Sequence, residues 1–198
     1  MIDLRVTLKA LAVLLACCYA TFSLAQDAPL GDGEILSEDA QVLLDRLGTL
    51  TSEEEAGEAN RLAAEILERW THSGSSALDL LLRRGSDAIE AGEYTRAVSH
   101  LTALTDHAPD FAEGWNQRAT AFFMLEEYGA ALSDIEQVLI LEPRHFGALA
   151  GLGIILEQLG DEEGALKALK AAAAVHPAEE NVNRAIERLE LQTGDRAL

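Results

Sequence analysis

The side chains best able to do chemistry are few, and their spacing does not assemble them. Cysteine occurs twice, as the neighbours Cys17 and Cys18. Five histidines, His72, His100, His107, His145 and His176, could hold a metal or move a proton. Two ligands on one helix must stand three or four residues apart to face the same ion, and no two of these do. His107, His145 and His176 stand beside Pro109, Pro143 and Pro177 and read as helix-end residues favoured by the helix dipole. Gly151-Leu152-Gly153 lacks the preceding strand and the third glycine of a dinucleotide fingerprint. Neither a Gly-x-Ser-x-Gly elbow nor a His-Glu-x-x-His pair is present. Glu53-Glu54-Glu55 falls at an expected helix start, where negative charge complements the free N–H groups. The expected activity is binding rather than catalysis, with no cofactor and no metal.

The elements that must position a binding surface are helical. Hydrophobic residues make up 48% of the chain, too many for general disorder. Aromatics are only 5%, and Ala, Leu and Glu, which favour helix, supply much of the rest. Strand formers occur singly rather than in alternating runs. The fold class is therefore all-α. Against 34 acids stand 15 bases, a formal charge of -19. Such a field repels nucleic-acid phosphates and anionic headgroups, so neither is an expected partner of the helical body. The charge serves solubility or steers a basic partner.

Pro109, Pro143 and Pro177 are 34 residues apart each time. On that period small residues recur at Gly85, Ala119 and Gly153, and at Ala97, Ala131 and Ala165. Large apolar ones recur at Leu81, Trp115 and Leu149, and at Leu101, Ile135 and Leu169; Tyr94 and Tyr128 match, with Glu162 third. Each unit reads as two amphipathic helices: 77–91 with 94–107, 111–125 with 128–141, and 146–159 with 162–175. Gly92 and Gly160 fall at the breaks, where a left-handed residue ends a helix. Asp161 can cap the helix after it, and Asp110 with Glu113 has capping-box spacing. One pair cannot bury its apolar face, so the units must stack.

This pattern resembles the tetratricopeptide repeat family over Leu78 to Glu179, as three units of about 78–111, 112–145 and 146–179. Arg84 and Arg118 depart from the usual Leu, and Ala88 from the usual aromatic. The resemblance implies a right-handed superhelical solenoid across 77–177. Residues 178–198 add a capping helix, Ala178 to Gln192, and a tail. Ahead of the repeats, 26–36 reads as a leader, and 37–76 as a helical hairpin and link. The hairpin pairs Ser37–Leu47 with Ser52–Trp70, the second capped through Thr51 and Glu54 or Ser52 and Glu55. Its stripe of Leu62, Ile66 and Trp70 is expected to pack on the first repeat; the alternative is a separate partner-docking helix.

The resemblance also implies a concave face lined by the first helix of each unit, where a protein or peptide binds. By register it contains Asp79, Leu82, Ser86, Ile89 and Glu90, then Glu113, Asn116, Thr120, Phe123 and Met124, then Gly147, Ala150, Ile154, Glu157 and Gln158. Four of these are acids and none is a base, which suits a basic or amphipathic segment. The family's clamp for a C-terminal carboxylate is missing: its positions hold Leu82, Ser86, Gln117, Gly147 and Gly151.

The first 25 residues read as an address. Arg5 and Lys9 precede an apolar stretch, and Ser23-Leu24-Ala25 offers a peptidase site between Ala25 and Gln26. A cleaved signal implies a periplasmic protein of the exported bacterial type. The competing reading takes Leu14-Leu15-Ala16-Cys17 as a lipobox, with a lipid on Cys17 tethering the chain to a membrane in an envelope assembly.

Overall fold

The computed structural model describes residues 32–196. The signal segment, its Ala25–Gln26 cleavage site, Cys17 and most of the leader lie outside the described residues. Among the described residues there are nine α-helices, a short 3₁₀ turn at Glu53–Glu55 and no strand. We number the helices α1 (Asp32–Leu47), α2 (Ala56–Trp70), α3 (Ser76–Glu90), α4 (Tyr94–His107), α5 (Ala112–Met124), α6 (Tyr128–Leu141), α7 (Phe146–Gln158), α8 (Glu162–Val175) and α9 (Glu180–Arg196). The six repeat helices start and stop within one residue of the ranges the periodicity predicts. α1 begins ahead of the predicted Ser37, and α9 runs past Gln192 through Gly194.

Each repeat closes by the same local chemistry. Gly92, Glu126 and Gly160, spaced by the 34-residue period, all take left-handed φ angles of 73°, 62° and 80°. The amide that follows each one donates to the carbonyl five residues back, at 2.8–2.9 Å, so the chain reverses with those carbonyls satisfied. Asp161 caps α8 by accepting the Gly164 N–H at 2.9 Å. Ahead of α2 the second of the two proposed pairs meets across the 3₁₀ turn, Glu55 accepting from the Ser52 N–H at 3.1 Å and the hydroxyl at 2.6 Å, while no side chain caps α2 itself.

Inside the pairs, size is matched across the seam. A methyl added at Gly85 would lie 2.5 Å from Leu101, and one at Gly153 would lie 2.6 Å from Leu169. The middle unit has Ala119 facing a cluster that includes Ile135. Successive first helices also touch, α3 with α5 and α5 with α7. That closer spacing makes them the inner layer of the stack, with α4, α6 and α8 outside.

The hairpin does not pack on the first repeat. Its core of Leu44, Leu47, Ala59, Leu62 and Ile66 is continued by Phe146, Val175 and Ala178, where the third repeat starts and ends. Trp70 stacks on His145 with ring centroids 4.3 Å apart and meets Phe146 at 5.4 Å. Arg144 donates to Asp45 at 2.6 Å, and Gln41 donates to Glu142 at 2.9 Å. The stripe of Leu62, Ile66 and Trp70 required an apolar partner, and the exposed edge of α7 and α8 supplies one that α3 does not.

Candidate functional site

The inner layer opens between α5 and α7 into a cleft of about 170 Å³. Asn116, Ala119, Thr120 and Phe123 form one wall; Gly147, Gly151 and Ile154 form the other. Gly147 and Gly151, one helical turn apart, keep the α7 wall free of side chains along that line. Thr120, in the cleft wall, turns its hydroxyl onto the Asn116 carbonyl at 3.1 Å. Phe123 is held against Tyr128 with centroids 5.8 Å apart. Met124 and Ile154 are 45% and 47% exposed, large apolar side chains left to water on the inner helices.

Of the residues the register assigned to the concave face, Asn116, Thr120, Phe123, Gly147 and Ile154 come together here. Ser86, Ile89 and Glu90 stay on α3, outside the cleft, with Glu90 exposed. Leu82 is buried at 4% exposure in the α3–α4 core and offers no surface. Gln158 is exposed at the end of α7.

The acids do not form an acidic trough. Asp79 accepts from the backbone and hydroxyl of Ser73 at 2.8 and 2.6 Å, which pins the link before α3. Glu157 is paired with Arg188 of α9, one contact being 2.9 Å. That pairing holds the Glu157 carboxyl below its usual range and raises the Arg188 guanidinium. Glu113 is buried, and it is not half of a capping box. Phe111, not Asp110, precedes α5, and no side chain caps it. Glu113 instead accepts from Asn116 at 3.2 Å and Gln117 at 2.7 Å. Of the four acids, only Glu90 stands exposed to a partner. Register alone placed these carboxylates on one face; it carried no information about cations arriving from α9 or amides one turn away.

Glu113 also meets the Nε2 of His145 at 3.2 Å. His145 Nδ1 accepts the Ala148 N–H at 3.1 Å, so His145 is the N-cap of α7 and its ring proton sits on Nε2. The dipole expectation is corrected for this residue. It stands at a helix start, where a positive charge is disfavoured, and it serves as an acceptor. His176 ends α8 but is buried, and neither ring nitrogen has a hydrogen-bond partner. Burial holds its pKa below 6.5, against a smaller opposing pull from Glu179. His107 alone of the three closes a helix as a basic last-turn residue.

A second polar group went unread in the sequence. Arg118, noted only as a departure from the usual Leu, donates twice to Asp134 at 2.7 and 2.8 Å and to Thr105 at 2.8 Å. Its guanidinium lies 4.7 Å from the Trp115 ring. The available signal was Asp134 itself, an acid at a position that Ala168 occupies in the third repeat.

Beside the cleft lies a second cavity, about 290 Å³, between α7, α8 and α9. Phe146, Ala150, Leu169, Val182 and Ala185 make it apolar, with His176, Glu179 and Asn181 at its polar side. It shares Gly147 and Ile154 with the α5–α7 cleft. Among the described residues no group of His, Cys, Asp and Glu could hold a metal ion, and no helix is long and apolar enough to cross a membrane.

A family model described as tetratricopeptide repeat matches residues 82–140 and 117–180. A TPR repeat-containing protein of Rhizobium etli is 39% identical over 151 residues, covering 74% of both chains. The Sgt2 TPR domain of Aspergillus fumigatus superposes with a TM-score of 0.59 at 21% identity, over 62% of this chain and 83% of that one. The first TPR domain of Spaghetti (RPAP3), solved with an HSP90 peptide bound, gives 0.57 at 20% identity, over 59% and 93%.

Proposed function

Because the chain belongs to the tetratricopeptide repeat family, we propose that it is a binding module rather than an enzyme, holding a segment of a partner protein in the α5–α7 cleft. The observation that carries this reading is apolar surface left to water in the cleft between inner helices, where Ile154 is 47% exposed and Phe123 stands in the facing wall. Water-exposed apolar surface inside a preformed groove gains most when a partner covers it. The bound peptide of the Spaghetti (RPAP3) domain supports the mode. Its chemistry does not transfer, since the carboxylate-clamp positions here hold Leu82, Ser86, Gln117, Gly147 and Gly151, with no cation among them. An amphipathic segment, more apolar than basic, suits the cleft, because three of the four groove acids are already engaged.

The proposal includes export to the periplasm, and what supports it is Arg5, Lys9, the apolar stretch and Ser23-Leu24-Ala25. A lipid on Cys17 is the alternative, and the mass of the mature N-terminus separates a Gln26 start from a lipidated cysteine. The cleft is tested by affinity capture from an envelope extract with wild-type bait beside a Phe123→Glu, Met124→Glu bait shown to be folded by circular dichroism. A partner held by the first and lost by the second is the expected result. A partner held equally by both would move the binding surface off the inner helices.

A further inference from the structure

The cavity between α7, α8 and α9 differs from the α5–α7 cleft in kind. Phe146, Ala150, Ile154 and Val182 give it an apolar floor, and His176 stands in its wall. The His176 ring meets Phe146 edge-on at 5.5 Å and is 3% exposed. Neither of its nitrogens has a protein partner or reaches bulk solvent. A buried imidazole normally satisfies at least one nitrogen, whereas both nitrogens of this one are closed off without a partner. Its lowered pKa keeps it neutral near pH 7, so no positive charge guards the cavity.

The other polar group is Glu179. Its carboxylate accepts from the backbone and side chain of Asn181 at 3.2 and 2.9 Å, and among the described residues it forms no ion pair with Lys or Arg. Arg184 of α9 is engaged by Asn181 at 2.9 Å and by Glu180. An apolar pocket thus carries in its lining a carboxylate without a Lys or Arg partner among the described residues. Cavities of roughly 150 Å³ hold a benzene ring. One of about 290 Å³ has room for a bicyclic aromatic.

We propose that this cavity is an anchor pocket for an aromatic side chain flanked by a positive charge, presented by the partner segment that runs on from the α5–α7 cleft. The aromatic body fills the apolar floor beside the His176 ring, and the cation pairs with Glu179. The proposal rests on the groove reading above, because the two cavities share Gly147 and Ile154.

The test uses three probes with one aromatic body: tryptamine, indole and indole-3-propionate. Each is titrated into the purified protein while the Ile154 and Val182 methyl signals and the His176 ring signals are followed by NMR. All three groups of signals should shift saturably with tryptamine. Tryptamine should bind about two- to fivefold more tightly than indole, the range of a partly exposed ion pair, and indole-3-propionate more weakly than indole. Glu179→Gln should bring tryptamine down to the affinity of indole and leave indole unchanged. Ala150→Phe should abolish binding of all three; Ala185→Leu replaces it if that variant unfolds. Shifts spread over the acidic surface, or no saturable shift at these residues, would overturn the pocket. Equal affinity for tryptamine and indole-3-propionate would overturn its charge selectivity. A partner still captured through the cleft, with the probes silent, removes this proposal and leaves the groove reading standing.

Discussion

In the second repeat Arg118 of α5 reaches Asp134 of α6 through two hydrogen bonds of 2.7 and 2.8 Å. At the matching positions the third repeat has Leu152 and Ala168, and the first has Arg84 and His100. The second repeat also buries Glu113, which reaches across to His145 at the start of the third. The third repeat packs its own seam by small residues, Gly153 against Leu169, and leaves a cavity of about 290 Å³ beside them. One backbone frame thus carries two kinds of interior. Polar contacts with fixed geometry specify how the middle unit is set against its neighbours, whereas an apolar interior with spare volume can adapt to a guest.

The sharpest way to break this comparison is Arg118→Ala. It strands Asp134, 3% exposed, without its partner, and a broken buried pair costs about 3–5 kcal/mol. Urea unfolding should show that loss, and Arg118→Leu with Asp134→Ala should recover most of it. An Arg118→Ala protein as stable as wild type would show that the bridge does not hold the middle unit. Next in size is Gly153→Ala, whose methyl would meet Leu169 at 2.6 Å. It should cost about 1–3 kcal/mol by overpacking. A neutral result would mean that the cavity gives Leu169 somewhere to go, which would itself sharpen the contrast between the repeats.

The pH dependence is smaller and belongs to the third repeat and the helix that follows it. His176 has a folded pKa held below 6.5. Above that value it is neutral in both states and its contribution is complete. As pH falls from 6.5 towards the folded value, the unfolded chain takes up a proton that the folded one refuses, so stability drops. Glu157, also lowered, loses its contribution only below 4.5. A thermal melt series should therefore show a decline that begins near pH 6.5, and His176→Gln should remove that early part alone. A series flat until the carboxylate range would contradict the buried, unpartnered imidazole. The smallest effect is a gain. Glu126 takes the left-handed turn that Gly92 and Gly160 fill elsewhere, and Glu126→Gly should stabilise by about 1 kcal/mol.

Most of the solenoid is legible in the sequence because its causes are local and repeated. Prolines and small seam residues recur every 34 residues, with glycine at two of the three matching turns, and each acts within its own unit. The hairpin was legible as a hairpin, yet its docking place was not. Leu62, Ile66 and Trp70 state that a face is apolar without naming its partner, and Trp70 finds His145 seventy-five residues away. The groove was legible as a set of positions. Which positions are open depends on long-range pairing: Glu157 meets Arg188 from another helix, and Leu82 turns into the core. The α7–α9 cavity had no sequence signal, since an unfilled volume is a property of three helices together.

The most direct measurement compares two exposed isoleucines on a captured partner. Ile154 lies on an inner helix at the cleft and is 47% exposed; Ile140, on the outer helix α6, is 66% exposed. Either residue can become Glu with little cost to folding, so binding isotherms for Ile154→Glu and Ile140→Glu isolate the face that is used. The concave-face reading predicts at least a tenfold weaker Kd, on the order of the 1.4 kcal/mol or more lost at an interface anchor, for Ile154→Glu and no change for Ile140→Glu. The reverse pattern would place the partner on the outer face and contradict the account.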